Sequence, residues 1–142
     1  MTVKELQKES EKYLDKEIKI SGWIRNHRPQ KEFGFIDFSD GTSFKHLQVV
    51  YTNKLEGFNE LVKLHNGSSI EVTGDFVKSE GNGQDYELKA KNIKLLGDCS
   101  EDYPLQPKKH SMEFLRSIAY LRPRANTFQA VFRVRSVAAY AI

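Results

Sequence analysis

The chain has 142 residues, of which 39% are hydrophobic and 29% charged, and its net charge is +3. That balance supports a packed core and excludes an intrinsically disordered polymer. No apolar run approaches the roughly 20 residues a membrane-spanning helix needs, and the polar start MTVKELQKES is not that of a signal peptide. Cys99 is the single cysteine, which rules out an internal disulfide and a cysteine-rich zinc site and makes a reducing, cytoplasmic setting the expectation.

Thr2 and Glu5 form a T-x-x-E capping box. Val3, Leu6, Tyr13 and Leu14 follow near one helical stripe, so a short amphipathic helix is expected, closing at Lys16 and Glu17. From Ile18 the period becomes two: Ile18, Ile20 and Ile24 face one way, and Lys19, Ser21, Trp23 and Arg25 the other. Residues 26–32, polar and containing Pro29, are expected to turn. Strands are expected over 33–38 and 44–51, the second rich in β-branched and aromatic residues. Leu55, Phe58, Leu61 and Val62 recur at helical spacing, with Asn66-Gly67 as a left-handed stop. A fourth strand is expected over 69–77, a turn at the Gly81-Asn82-Gly83 tip, and a fifth strand over 86–96. Three strands, a helix and two strands follow the order of the OB-fold, a five-stranded Greek-key barrel, here preceded by a helix.

Residues 97–110, with Tyr103-Pro104 and Gln106-Pro107, are expected to be a linker. From Pro107 onward Lys108, Lys109, Arg116, Arg122, Arg124, Arg133 and Arg135 stand against the single acid Glu113, a composition shift that suggests a second unit over 111–142. A helix is expected over 111–121, then a break at Arg122-Pro123-Arg124. A further helix would be capped by Asn126 or Thr127 and bury Val131, Val134 and Ala138. That helix still runs at Ile142 without a cap, so the chain is expected to be a fragment of a longer protein.

The stretch FGFIDF is apolar on both faces: Phe33 and Phe35 on one, Ile36 and Phe38 on the other. One pair must lie outside a barrel. In the next strand Leu47 and Val49 look like core, which leaves Gln48 outside. An outward ring can stack on a nucleobase, and an outward amide can donate to and accept from a base edge. Arg25, His27 and Arg28 could add charge for phosphate or a donor for a base. The alternatives are ordinary: Phe35 as a second core layer under the first helix, Gln48 as a solvated strand residue, Trp23 packed beneath a loop, and Arg25, His27 and Arg28 as a wet turn. The basic residues after Pro107 could likewise be a solvated helix face. No spacing of His, Cys, Asp or Glu suggests a metal, and no phosphate-loop, dinucleotide or nucleophile-elbow motif is present. No catalytic residue is expected.

The segments GWIRNHR, FGFIDFSDG, HLQVV, EVTGDFV and DYPLQPKKHSMEFLRSIAYLRPRANTFQAVFRVRS together resemble the asparaginyl-tRNA synthetases along the whole chain. The barrel motifs are shared with the aspartyl and lysyl enzymes of the same subclass. The stretch 102–136 is more specific, because Tyr120-Leu121-Arg122-Pro123-Arg124 replaces the Y-L-D-L-R type motif usual in aspartyl enzymes. The resemblance implies an anticodon-binding barrel over residues 1–96, with Phe35 stacking on the central anticodon uridine. It implies a hydrogen bond from Gln48 to that uridine and a contact of Arg28 with the base or its phosphate. The loop 78–85, with Lys78, Gln84 and Asp85, would lie near the wobble base, its residues matching no family motif one by one. The helix from Thr127 resembles the start of the first class II motif, which forms a homodimer interface. The whole enzyme would activate asparagine with ATP and Mg²⁺ and pass it to tRNA(Asn). The fragment itself would carry neither cofactor and be inactive in that reaction. A stand-alone OB module that binds single strands, and the same domain of an aspartyl enzyme, are the competing expectations.

Overall fold

A computed structural model describes residues 1–81 and 83–142. The chain divides into two compact units, Met1–Tyr103 and Pro104–Ile142. The first unit contains β1 (Lys16–Pro29), β2 (Phe33–Ser39), β3 (Leu47–Thr52), β4 (Ser69–Lys78) and β5 (Tyr86–Gly97), closed into a barrel in the order β1-β2-β3-β5-β4. All neighbours are antiparallel except β3 and β5, which run parallel through Gln48↔Glu87, Val49↔Leu88 and Val50↔Lys89. This is the expected OB-fold barrel.

The barrel follows from period-two alternation. Ile18, Ile20 and Ile24 of β1, Ile36 and Phe38 of β2, Leu47 and Val49 of β3, and Ile70, Val72 and Phe76 of β4 are buried in one core. Helices α1 (Val3–Lys8) and α2 (Ser10–Tyr13) precede the barrel. The Thr2/Glu5 capping box forms as expected, and Val3 and Leu6 join the core. The loop between β2 and β3 holds α1: the Val3 N–H donates to Asp40 Oδ2 at 2.8 Å, and Gln7 Nε2 donates to the Lys45 carbonyl at 2.7 Å. The expected single helix is two short ones broken at Glu9. Asp15, at φ 57, then turns the chain into β1, which starts at Lys16.

Residues 26–29 correct the expected turn at 26–32. A bulge between Ile24 and Asn26 resets the alternation, and Asn26, His27, Arg28 and Pro29 pair with Asp37, Ile36, Phe35 and Gly34. Pro29 sits at the strand end, where its missing N–H costs no ladder bond. The turn is only 30–32, where the Gln30 N–H donates to the Phe33 carbonyl at 2.8 Å.

Other boundaries also shift. Residues 44–46 lie outside β3, and α3 (Phe58–Leu61) is a single turn entered through the left-handed Gly57. Gly67 is left-handed, at φ +92, yet it does not stop that helix; its N–H donates to the Ile24 carbonyl at 2.8 Å and leads the chain into β4. In the expected tip at 81–83, Asn82 lies outside the described residues. The second unit holds α4 (Met112–Ser117), a 3₁₀ turn over Arg122–Arg124 and α5 (Asn126–Ala141). Neither Asn126 nor Thr127 caps α5; the N-cap is Ala125, with no side-chain bond. Val131 and Val134, expected buried, are exposed.

Candidate nucleic-acid interface

The outer face of β1, β2, β3 and β5 carries two rows of side chains set by the strand register. In the first, Arg28 pairs with Phe35, Phe35 with Val50, and Val50 with Lys89. In the second, Asn26 pairs with Asp37, Asp37 with Gln48, and Gln48 with Glu87. The intervening positions Ile36, Val49 and Leu88 are completely buried, so both rows lie outside the barrel.

Phe35 is half-buried on the outer face, as one of the two expected readings requires. The exposed Phe33 meets it edge to face, with centroids 5.4 Å apart, and the Arg28 guanidinium lies 5.6 Å from the Phe35 centroid. Arg28 and Phe33 therefore limit how that ring can turn and leave an apolar shelf continued by Val50. An aromatic shelf edged by a cation suits a flat, anionic ligand.

The second row is polar. Gln48 Nε2 faces Glu87 Oε2 at 3.5 Å, a long contact that points the amide nitrogen toward β5 and leaves Oε1 as an acceptor. Glu87 is itself covered, only 8% exposed, and accepts a 3.0 Å bond from the Ser79 hydroxyl. At the other end His46 Nδ1 lies 3.1 Å from Asp37 Oδ2. The row offers carboxylate and amide acceptors, which match base-edge donors and repel phosphate.

His27 departs from its expected place. The bulge at residue 25 turns it inward, opposite Ile36, while Arg28 points out opposite Phe35. His27 Nδ1 donates to the Leu64 carbonyl at 2.9 Å, which leaves Nε2 to accept from the Tyr51 hydroxyl at 2.6 Å. With both ring nitrogens engaged, His27 braces the barrel and is not available as a base donor. Burial holds its imidazole below the usual histidine range, partly opposed by the bond to Leu64. Burial also pushes the Tyr51 phenol up to about 12. Gly34 makes room for this arrangement, since a Cβ there would lie 2.3 Å from the Tyr51 ring.

Arg25 sits at the bulge, outside both rows. Trp23, expected beneath a loop, is 40% exposed. Lys78, Gln84 and Asp85 lie apart from Phe35, at the end of β4 and in the following loop. Lys78 is exposed, Gln84 half-buried, and Asp85 pairs with Lys45 at 3.3 Å. Gln84 helps line a cavity of about 260 Å³ with Gln7, Lys45, His46, Phe76 and Tyr86. Sequence reasoning overlooked Asn26, Asp37, Val50, Glu87 and Lys89 on the platform. Alternation within 47–52 and 86–97 marks Val50 and Lys89 as outward, but only the register brings them beside Phe35.

Among the described residues no helix is long and apolar enough to cross a membrane, and no group of three or more His, Cys, Asp or Glu is placed to hold a metal ion.

Residues 18–96 match the tRNA anticodon family, described as an OB-fold nucleic acid binding domain. An asparagine–tRNA ligase from Clostridium kluyveri is 54% identical over 140 residues, covering 99% of this chain and 30% of the relative. One from Acholeplasma laidlawii is 50% identical over 143 residues, covering 100% of this chain and 31% of the relative. The chain thus spans under a third of the length of these curated relatives. Asparaginyl-tRNA synthetase from Pyrococcus horikoshii, solved with asparaginyl-adenylate, superposes with a TM-score of 0.77 at 22% identity, covering 92% of this chain and 30% of that one. That likeness shows the shared fold.

Proposed function

This chain belongs to the tRNA anticodon family of OB-fold nucleic acid binding domains, and from that premise we propose that its barrel binds the anticodon loop of tRNA(Asn) through Phe35, Gln48 and Arg28. The observation that carries the reading is the outward Phe35 ring, one strand from Gln48 on the same face. The central uracil stacks on Phe35, and its N3–H donates to Gln48 Oε1. Cytosine in that place presents an unprotonated N3 to the same oxygen and leaves both unpaired, a loss of about 1–3 kcal/mol. Arg28, whose guanidinium lies 5.6 Å from the Phe35 centroid, neutralises the adjoining phosphate. The loop 78–85 lies toward the wobble base.

The reading extends to the activity for which the relatives are named, joining asparagine to its tRNA in the cytoplasm by way of an aminoacyl-adenylate. ATP and Mg²⁺ supply the activation in that reaction. The barrel's part in it is selecting and positioning the tRNA. Helix α5, with Val131, Val134, Val137 and Tyr140 exposed, supplies a homodimer contact in the whole enzyme.

The test is binding of the 142-residue chain to two anticodon stem-loops that differ only in a central uridine or cytidine. The uridine loop binds more tightly. Equal affinity, or no binding to either, overturns the reading.

A further inference from the structure

We infer that Lys89 is a second phosphate-binding residue of the platform, holding the RNA backbone on the far side of Phe35 from Arg28. The inference rests on the barrel binding an anticodon loop, and it adds a contact to that site.

Register is the first ground. Arg28, Phe35, Val50 and Lys89 are consecutive partners across four strands on the outer face. Three interstrand steps separate the two cations by about 14 Å at the backbone. Between them lie only an aromatic and a valine, so the row is an apolar shelf with a positive charge at each end.

Electrostatics supplies the second. The adjacent row contains Asp37 and Glu87, which repel phosphate. A base stacked on Phe35 with its edge toward Gln48 must therefore carry its ribose and phosphates on the side away from that row. The cations able to meet them are the ones in the first row.

The third ground is the state of the ammonium group. Lys89 lies 4.0 Å from Glu80 Oε1, in a pair whose side chains are 52% and 93% exposed. So exposed a pair contributes little and exchanges readily for another anion. Lys91, two residues along the same strand, is held instead by Asp75 at 2.7 Å and Glu17 at 2.9 Å. Its charge is committed to the barrel surface.

The experiment compares the 142-residue chain with K89A, K89R and K94A in a salt titration against the uridine- and cytidine-centred stem-loops. Lys94 lies five residues along β5, roughly 16 Å away, opposite Glu71 in the β4–β5 register. K89A lowers the slope of log affinity against log salt by about 0.7, the value for one phosphate contact on a single strand, which corresponds to roughly fivefold weaker binding at 0.1 M salt. The uridine-to-cytidine ratio stays unchanged, K89R retains the slope, and K94A matches the parent. If the parent binds and K89A keeps its slope, Lys89 is not a contact and the anticodon reading stands. A slope loss in K94A equal to that in K89A also overturns the inference, because the effect is then diffuse charge. If the parent binds neither loop, the anticodon reading falls and this inference with it.

Discussion

The Tyr51 hydroxyl lies 2.6 Å from His27 Nε2, and this bond joins the end of β1 to β3 directly beneath the residues that form the candidate platform. His27 is flanked by Asn26 and Arg28 on the outer face, and Tyr51 by Val50 and Thr52. The second bond of the ring, from Nδ1 to the Leu64 carbonyl at 2.9 Å, ties the pair to the segment before β4. A ring with two fixed partners sets the strand end that carries Arg28.

Tyr51→Phe is expected to destabilise the fold by about 1–3 kcal/mol, because it leaves His27 Nε2 without its donor in a half-buried site. His27→Ala removes both bonds and the ring that fills the space, so its loss is larger. The double variant loses less than the sum of the two, since both act on one bond. Urea unfolding of the three variants checks this, and simple additivity counts against the pairing.

Stability is expected to fall at both ends of the pH range through this pair. The folded His27 binds its proton less readily than the unfolded chain, so its contribution is complete above about pH 6.5. It is lost as pH falls below that value, where the unfolded state takes up the proton first. Tyr51, pushed up to about 12, behaves oppositely: its contribution is complete below about pH 10 and is lost as pH rises toward 12. Unfolding midpoints measured from pH 5 to 11 test both limbs. His27→Gln should remove the acid limb belonging to this residue, and Tyr51→Phe the alkaline one.

Gly34→Ala is expected to be strongly destabilising although alanine is a small change. The added Cβ meets the Tyr51 ring at 2.3 Å, and overpacking of this kind costs about 1–3 kcal/mol or more. Combining it with Tyr51→Ala relieves the clash, so Gly34→Ala should cost far less in that background. Thermal melts of the two pairs decide the point.

Phe35→Ala is expected to separate binding from folding. The ring is half-exposed on the outer face, so the melting temperature moves by only a few degrees. Binding to the uridine-centred stem-loop weakens by about 1–3 kcal/mol, the range for loss of one stacked base. Gln48→Ala, by contrast, narrows the gap between uridine- and cytidine-centred loops. Unchanged binding in both variants removes these residues from the interface.

Much of the barrel is visible in local pattern. Ile18, Ile20 and Ile24 declare a strand because adjacent side chains point to opposite faces, whatever the rest of the chain does. The Thr2/Glu5 box marks a helix start because its bonds span three residues. Gln48 was legible as outward for the same reason, with Leu47 and Val49 at the opposite parity, whereas FGFIDF is apolar at both parities and left Phe35 either outward or in a second core layer.

His27 was not legible in this way. Its direction depends on the bulge at residue 25, and that bulge is settled by how β1 pairs with β2 and with the segment before β4. Lys89 was similarly hidden, since the parallel pairing of β3 with β5 joins positions 39 residues apart.

Period, capping and turn residues were enough to establish the five strands and the barrel class, because those preferences act over a few residues. The folded chain alone decided that His27 braces Tyr51 while Arg28 and Lys89 bracket Phe35. These relations come from strand register and barrel closure, which distant segments settle together through packing and shared hydrogen bonds.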